Sequence, residues 1–545
     1  MALNYIWLGL LLLGVSAALT TDIVDKTSDK YRNNISFELV ITTGKNINEI
    51  LATKQNASIL VDADDYNKSY GDNLKSDFSL QAQLIQRKKN GSGSLRIQVN
   101  ENSPALWREM AKASGNENEL IGEFQLIKKI SDRSFRAKIV LEEISFTKMK
   151  GVTNAALDYA GTAVTIALGL IGIMALWLGV MKVAEEAGLI RLIANSVKPI
   201  TKRLFPEIPS DHPAMSSMVM NISANMLGLG NAATPFGLKA MEEMEKINPN
   251  KGTATNSMVT FLAINTAGLT LIPATAIAVR AASGSSNPAI IIGTSIFGAF
   301  CATVAGISAA KIIEKFYLKS WNFISWSKQN FKIILFAILF IIAFVLILTT
   351  GLFNQIVSLF SFISPSGFRS FIEIVSALAI PLLILIFIGY GAIKKVKVYE
   401  NFVEGAKDGF TIAVKIIPYL VAMLVAIGIF RAGGAMEWLI YLLNPVTSLI
   451  GLPADALPMA LMRPLSGSGS LGIMSENLSV YGPDSFLGVL VSTFYGSTET
   501  TFYVLAVYFG SVNIKNTRHA LPVGLIADIA GILGALFIVQ LLFSG

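Results

Sequence analysis

Arg463 and Glu499 carry opposite charges inside stretches otherwise made of apolar or small residues, Arg463-Pro464-Leu465-Ser466-Gly467-Ser468 and Gly496-Ser497-Thr498-Glu499-Thr500-Thr501. In a bilayer an unpaired charge is costly, so each demands a partner, water or a bound group. The guanidinium can hold an anionic group; the carboxylate can hold a cation or carry a proton. A second polar stretch, Asn225-Met226-Leu227-Gly228-Leu229-Gly230-Asn231-Ala232-Ala233-Thr234-Pro235, mixes amides with helix breakers, and Asn265-Thr266 follows. Lipid offers no hydrogen bonds, so such breaks belong where freed backbone groups line a protein-enclosed polar cavity. The chemistry this allows is reversible holding of a small polar solute. Candidate contacts are Asn225, Asn231, Thr234, Asn265, Thr266, Arg463, Ser466, Ser468, Ser497, Thr498, Glu499 and Thr500. Asn231 with Thr234 and Arg463 with Glu499 are expected to converge on one site.

Plainer uses compete for the neighbouring residues. Asn221 and Ser223 read as bridges between helices, and Gly228, Gly230, Gly467, Gly469 and Gly472 as close-packing positions first. Asp528, in the last apolar segment, is a lesser candidate for the polar site. Covalent catalysis finds no support: there is one cysteine, Cys301, and two histidines, His212 and His519. A disulfide framework and a Cys/His zinc site are excluded, and no cofactor is expected. Gly467-Ser468-Gly469 is no nucleophile elbow without a strand-to-helix setting.

The elements that position these residues are membrane helices. Of 545 residues 52% are hydrophobic and 15% charged, and the mean hydropathy is +0.56, beyond what a soluble domain carries. The net charge of +7 follows from basic loops beside apolar segments, so nucleic acid is not expected as a partner. The run from Leu3 to Leu19 reads as a retained helix, although Val15-Ser16-Ala17 resembles a cleavage site. Residues 22–150 alternate with period two, as in Ile35–Ile41, Phe78–Leu84, Leu95–Val99 and Phe135–Val140, which predicts a β-rich domain. A helix is expected over Pro104–Ala113. The acidic run Asp62, Asp64, Asp65 reads as a solvated loop ahead of a cation site.

From Gly151 the chain alternates apolar segments with basic loops. Spans are expected at about 161–181, 254–278, 288–310, 331–350, 370–390 and 413–430. Lys and Arg near 182–203, 311–319 and 394–397 place those loops in the cytoplasm and residues 22–150 outside. The stretch 213–236 is expected to dip in and return as a re-entrant hairpin. Ala187–Pro199 finds a loose echo in Gly434–Pro445, with the loop charges reversed, so an inverted repeat is expected.

These residues also carry a family resemblance. Asn225–Met241, Thr260–Thr266 and the opening Asn4–Leu10 resemble spore maturation protein A, while Ala456–Gly469 and Tyr495–Gly510 resemble spore maturation protein B. The resemblance implies the nucleoside-recognition, or Gate, family, similar to segments of concentrative nucleoside transporters and of the ferrous iron transporter's membrane part. It implies no proven substrate. The expected fold is an all-α polytopic membrane protein with inverted Gate-type repeats and re-entrant hairpins, plus an inserted β-rich soluble domain. Its expected parts are a first helix (1–21), the extracytoplasmic insertion (22–150), a first Gate repeat (151–312), connecting helices (313–400) and a second Gate repeat (401–545). The expected role is passage of a small polar solute, nucleoside-like or ion-coupled, across the bacterial inner membrane, with the lipid bilayer, a coupling ion and a homo-oligomer as partners. The alternative is a non-transporting accessory protein of envelope or spore maturation.

Overall fold

The computed structural model describes residues 2–44, 54–87, 92–115, 118–317 and 365–543. It divides into two compact units. One comprises Met1–Leu11, Ala155–Gly428 and Met436–Gly545; the other comprises Leu12–Asn154 and Ile429–Ala435.

The smaller unit holds a closed six-stranded barrel. Its strands are β1 (Ser36–Thr43), β2 (Gln55–Val61), β3 (Phe78–Arg87), β4 (Ser92–Gln98), β5 (Glu119–Lys129) and β6 (Ser134–Leu141). Each pairs antiparallel with its sequence neighbour, and β1 closes on β6 with Leu39 opposite Ala137, which leaves no open edge. Alternation fills the interior: Leu39, Ile41, Ile59, Leu95, Ile97 and Ile139 point inward and are buried. Two helices, α2 (Ala63–Tyr70) and α3 (Ala105–Ser114), add Tyr66, Tyr70 and Trp107, whose rings pack on one another at centroid distances of 4.8–6.4 Å and on Phe37 and Phe78 at 5.6 Å.

The acidic run now has a local explanation. Asp62 is the N-cap of α2, and its carboxylate accepts the amides of Asp64 at 3.0 Å and Asp65 at 3.1 Å. Two further carboxylates in the first turn suit the positive end of the helix dipole. Asp62→Ala should therefore lower the stability of the barrel by about 1 kcal/mol, read as a shift in its denaturation midpoint.

The larger unit is helical. Helices α4 (Thr147–Glu186), α5 (Leu189–Leu204), α6 (Pro213–Met226), α7 (Gly230–Lys246), α8 (Asn256–Ala267), α9 (Ala274–Ala282) and α10 (Ile291–Ile313) are followed by α11 (Pro365–Ile393), α12 (Val398–Ala432) and α13 (Ala435–Thr447). Then come α14 (Leu457–Met462), α15 (Gly467–Tyr481), α16 (Phe486–Ser497), α17 (Thr501–Ser511) and α18 (Ala520–Phe543). Among the described residues of the whole chain six helices are long and apolar enough to span a bilayer: Trp7–Thr27, Thr147–Glu186, Pro288–Ile313, Ile372–Ile393, Val398–Ala432 and Ala520–Phe543. The span expected at 331–350 lies outside the described residues.

The all-α expectation is corrected. The alternating segment closes on itself as a barrel because joining β1 to β6 pairs every edge strand. Inverted repeats and re-entrant hairpins are not shown either. The stretch read as a hairpin is a pair of separate helices, α6 and α7, of 14 and 17 residues. Loop charge and a faint sequence echo report where chain ends face and carry no information on how helices are related in space. The span expected at 254–278 is also interrupted, between α8 and α9, where Gly268 takes φ +56° and ends α8 as its C-cap.

Candidate functional site

Four helix breaks among the described residues meet in the larger unit: 227–229 between α6 and α7, 268–273 between α8 and α9, 463–466 between α14 and α15, and 498–500 between α16 and α17. Each leaves backbone groups without intrahelical partners, and the breaks satisfy one another. The amide of Leu271 donates to the carbonyl of Met226 at 2.8 Å, that of Glu499 to Thr266 at 2.8 Å, and that of Phe502 to Pro464 at 3.0 Å. The guanidinium of Arg463 donates to the carbonyl of Thr498.

Glycine makes two of these crossings possible. Gly228 has φ +78°, and a Cβ there would sit 2.7 Å from the carbonyl oxygen of Ile272; at Gly268 it would sit 2.9 Å from Cγ of Glu499. Both positions combine a left-handed backbone with close approach. Gly268→Ala should cost about 1–2 kcal/mol for the backbone conformation alone and displace Glu499, seen as a lower melting temperature of the purified protein.

A cavity of about 300 Å³ opens at the breaks, lined by Asn225, Gly228, Thr270, Arg463, Thr498 and Glu499, with Tyr495 beside them. Lys182 and Glu185 from the end of α4 and Asp408 from α12 complete its charged wall. Arg463 and Glu499 lie 3.7 Å apart, the arginine side chain 3% exposed and the glutamate 53%. The guanidinium also lies over the ring of Tyr495, 4.5 Å from its centroid. Burial of one partner and exposure of the other make the glutamate the movable half of the pair.

Behind Asn225 a chain of polar groups runs into the protein. The Asn225 amide donates to Oδ1 of Asn265 at 2.9 Å, which also accepts from the Tyr508 hydroxyl at 3.3 Å. Asn221 donates to that hydroxyl at 3.2 Å and to the carbonyl of Ala233 at 2.8 Å. Asn221, read from sequence as a helix bridge, thus ties α6 to both α7 and α17.

The other expected contacts divide. Thr266 supplies its carbonyl to the break. Ser466 caps α15, accepting the Gly469 amide at 3.0 Å, and lies 3.3 Å from the hydroxyl of Ser468. Ser497 returns its hydroxyl to the carbonyl of Thr493 at 2.6 Å. Thr500 is the N-cap residue of α17 without a side-chain cap bond. Thr234 is half-buried in α7 and absent from the cavity wall; Asn231 falls in the first turn of the same helix, its side chain outside the described part. Sequence reasoning missed Thr270, Tyr495, Lys182, Glu185 and Asp408. Gly268 and Pro273, flanking Thr270, were the available signal.

The family model described as nucleoside recognition, Gate, matches residues 167–283 and 413–515, two segments that contain all four breaks. The chain is 52% identical over 175 residues to spore maturation protein B of Bacillus subtilis (strain 168), covering 32% of this chain and 98% of that protein. It is 46% identical over 171 residues to spore maturation protein A of the same organism, covering 31% and 86%. Inner membrane protein YjiG of Escherichia coli (strain K12) is 34% identical over 80 residues, 14% of this chain and 52% of that protein. No solved structure matches the chain.

Proposed function

Because the chain belongs to the nucleoside-recognition (Gate) family, together with spore maturation proteins A and B, we propose that this multi-pass membrane protein carries a small polar solute through the cavity at its helix breaks. The observation that supports the reading is the convergence of four breaks on a buried guanidinium paired with a half-exposed carboxylate. Such a pair neutralises itself when the cavity is empty. A solute bearing both donors and acceptors, as a nucleoside does, can insert between the two charges and use the Asn225 amide and the Thr270 hydroxyl as well. The cavity is at the small end of ligand pockets, which begin near roughly 300 Å³. Purified protein screened for thermal stabilisation, nucleosides first, tests the solute class; stabilisation by none of them counts against it.

A second reading draws on the names of the relatives, two of which are spore maturation proteins. On it the membrane part is an accessory of envelope or spore assembly, and the barrel is its docking module. Uptake into proteoliposomes separates the two readings.

The barrel belongs outside the cytoplasm on the proposed topology, because the basic loops at Lys311 and Lys394–Lys397 mark the inner side. In a Cys301→Ser background, Ser92→Cys should react with a membrane-impermeant thiol reagent in intact spheroplasts while Lys395→Cys should not. The reverse labelling would overturn this topology.

A further inference from the structure

We infer that Asp528 is the proton carrier of the cavity, neutral while the Arg463–Glu499 pair is closed and giving up its proton when that pair parts. This rests on the proposed solute pathway and adds a coupling ion to it. Asp528 lies within the last apolar helix, α18, and is 1% exposed. Its Oδ2 accepts the Thr501 hydroxyl at 2.6 Å, while among the described residues Oδ1 has no hydrogen-bond partner. Among the described residues no cation pairs with it. A lone carboxylate in such a place is costly, and holding a proton removes most of the cost.

The acid is wired to the site. Thr501, which donates to it, is the first residue of α17, two positions after Glu499. Three positions on from Asp528, a Cβ at Gly531 would sit 2.5 Å from Cγ2 of Thr498, whose carbonyl accepts the Arg463 guanidinium. The helices packed on α18 bring little else: α10 presents Cys301 opposite Gly534 and carries Lys311 in its last turn, paired with Glu314, α8 offers no ionisable group, and α16 brings Tyr495, which lies under Arg463. Tyr508 of α17 is engaged with Asn221 and Asn265, Glu373 of α11 is exposed, and His519 lies before α18 begins. Among the described residues Arg463 is therefore the cation placed to claim a proton-free Asp528, and it becomes free to do so when Glu499 turns to a solute.

A metal cation suits the place less well than a proton. Hard cations gather a shell of several oxygens. Here the break carbonyls of Thr266 and Thr498 already accept from Glu499 and Arg463, and among the described residues the unpartnered oxygens of this stretch are Oδ1 of Asp528 and the hydroxyl of Thr498.

Infrared spectroscopy of the full-length protein in lipid nanodiscs tests the inference without any solute. At neutral pH the wild type should show a carboxylic-acid carbonyl band that Asp528→Asn removes. Carbon-13 labelling of aspartate should shift the same band in the wild type, whether or not the variant folds. In Glu499→Gln, where Arg463 has lost its carboxylate, most of the band should disappear. A band missing from the wild type, unmoved by labelled aspartate, or undiminished in Glu499→Gln overturns the proton carrier. A failed uptake assay would bear on the solute pathway alone, since these spectra are read on the empty protein.

Discussion

Asp484→Ala should lower the stability of the helical unit by about 1.5–3 kcal/mol, the range for losing a hydrogen bond between charged groups. Arg280, in α9, is 0% exposed and lies 3.0 Å from Asp484, whose side chain is 42% exposed. The guanidinium also donates to the carbonyl of Pro483 at 2.6 Å and to the Ser285 hydroxyl at 3.1 Å. Asp484 in turn accepts the amide of Ser286 at 2.8 Å and its hydroxyl at 2.7 Å. One clasp thus joins the loop after α9 to the loop between α15 and α16. Losing the carboxylate leaves the buried cation with neutral acceptors such as the Pro483 carbonyl and the Ser285 hydroxyl, and Arg280→Lys should be nearly as harmful, because an ammonium cannot reproduce the fork.

The pH dependence of the clasp has a definite sign. Burial pushes the Asp484 carboxyl up, but hydrogen bonds from Ser285 and Ser286 together with the Arg280 charge outweigh it and hold the group below its usual range. A folded-state value below the unfolded one means that the contribution is fully present above the ordinary aspartate value of about 3.9 and is lost as pH falls through the folded value. Wild type and Asp484→Asn should therefore differ in melting temperature at neutral pH and converge in acid.

Glu499→Gln should weaken solute binding or uptake by about 10- to 100-fold, the loss expected for one charged hydrogen bond of roughly 1.5–3 kcal/mol. Its effect on stability should be about 1–2 kcal/mol, because Arg463 keeps the Thr498 carbonyl and the Tyr495 ring. Charge alone would rank Arg463→Ala as the more destabilising change. Burial narrows that ranking: the freed glutamate already faces the cavity, whereas a freed arginine stays enclosed. The double variant should be more stable than the sum of the two single losses, as expected of residues in contact. Strict additivity in melting temperature would contradict the pair.

Much of this site is legible in residues taken one at a time. Arg463 and Glu499 are conspicuous because charges are rare in apolar stretches, and Asn225 because an amide beside glycines marks a break. What joins them is not legible. Gly268 interrupts a run that reads as one continuous span, since glycine is common inside membrane helices. Arg280 and Asp484 are 204 positions apart, and neither one's surroundings in sequence name the other. The barrel shows the same limit: period-two alternation announces strands, but closure depends on β1 meeting β6 across the whole domain. Loop charge and a loose sequence echo, from which inverted and re-entrant relations are expected, constrain sidedness and leave helix geometry open.

On the proposed function the cavity between the four breaks is a passage for a polar solute. Uptake of labelled nucleosides into proteoliposomes holding the wild type, Glu499→Gln or Gly268→Ala tests it most directly. Saturable uptake by the wild type, cut at least about tenfold in Glu499→Gln and lost in Gly268→Ala, is the predicted result. Uptake that is equal in all three proteins, or no greater than in empty vesicles, would contradict it.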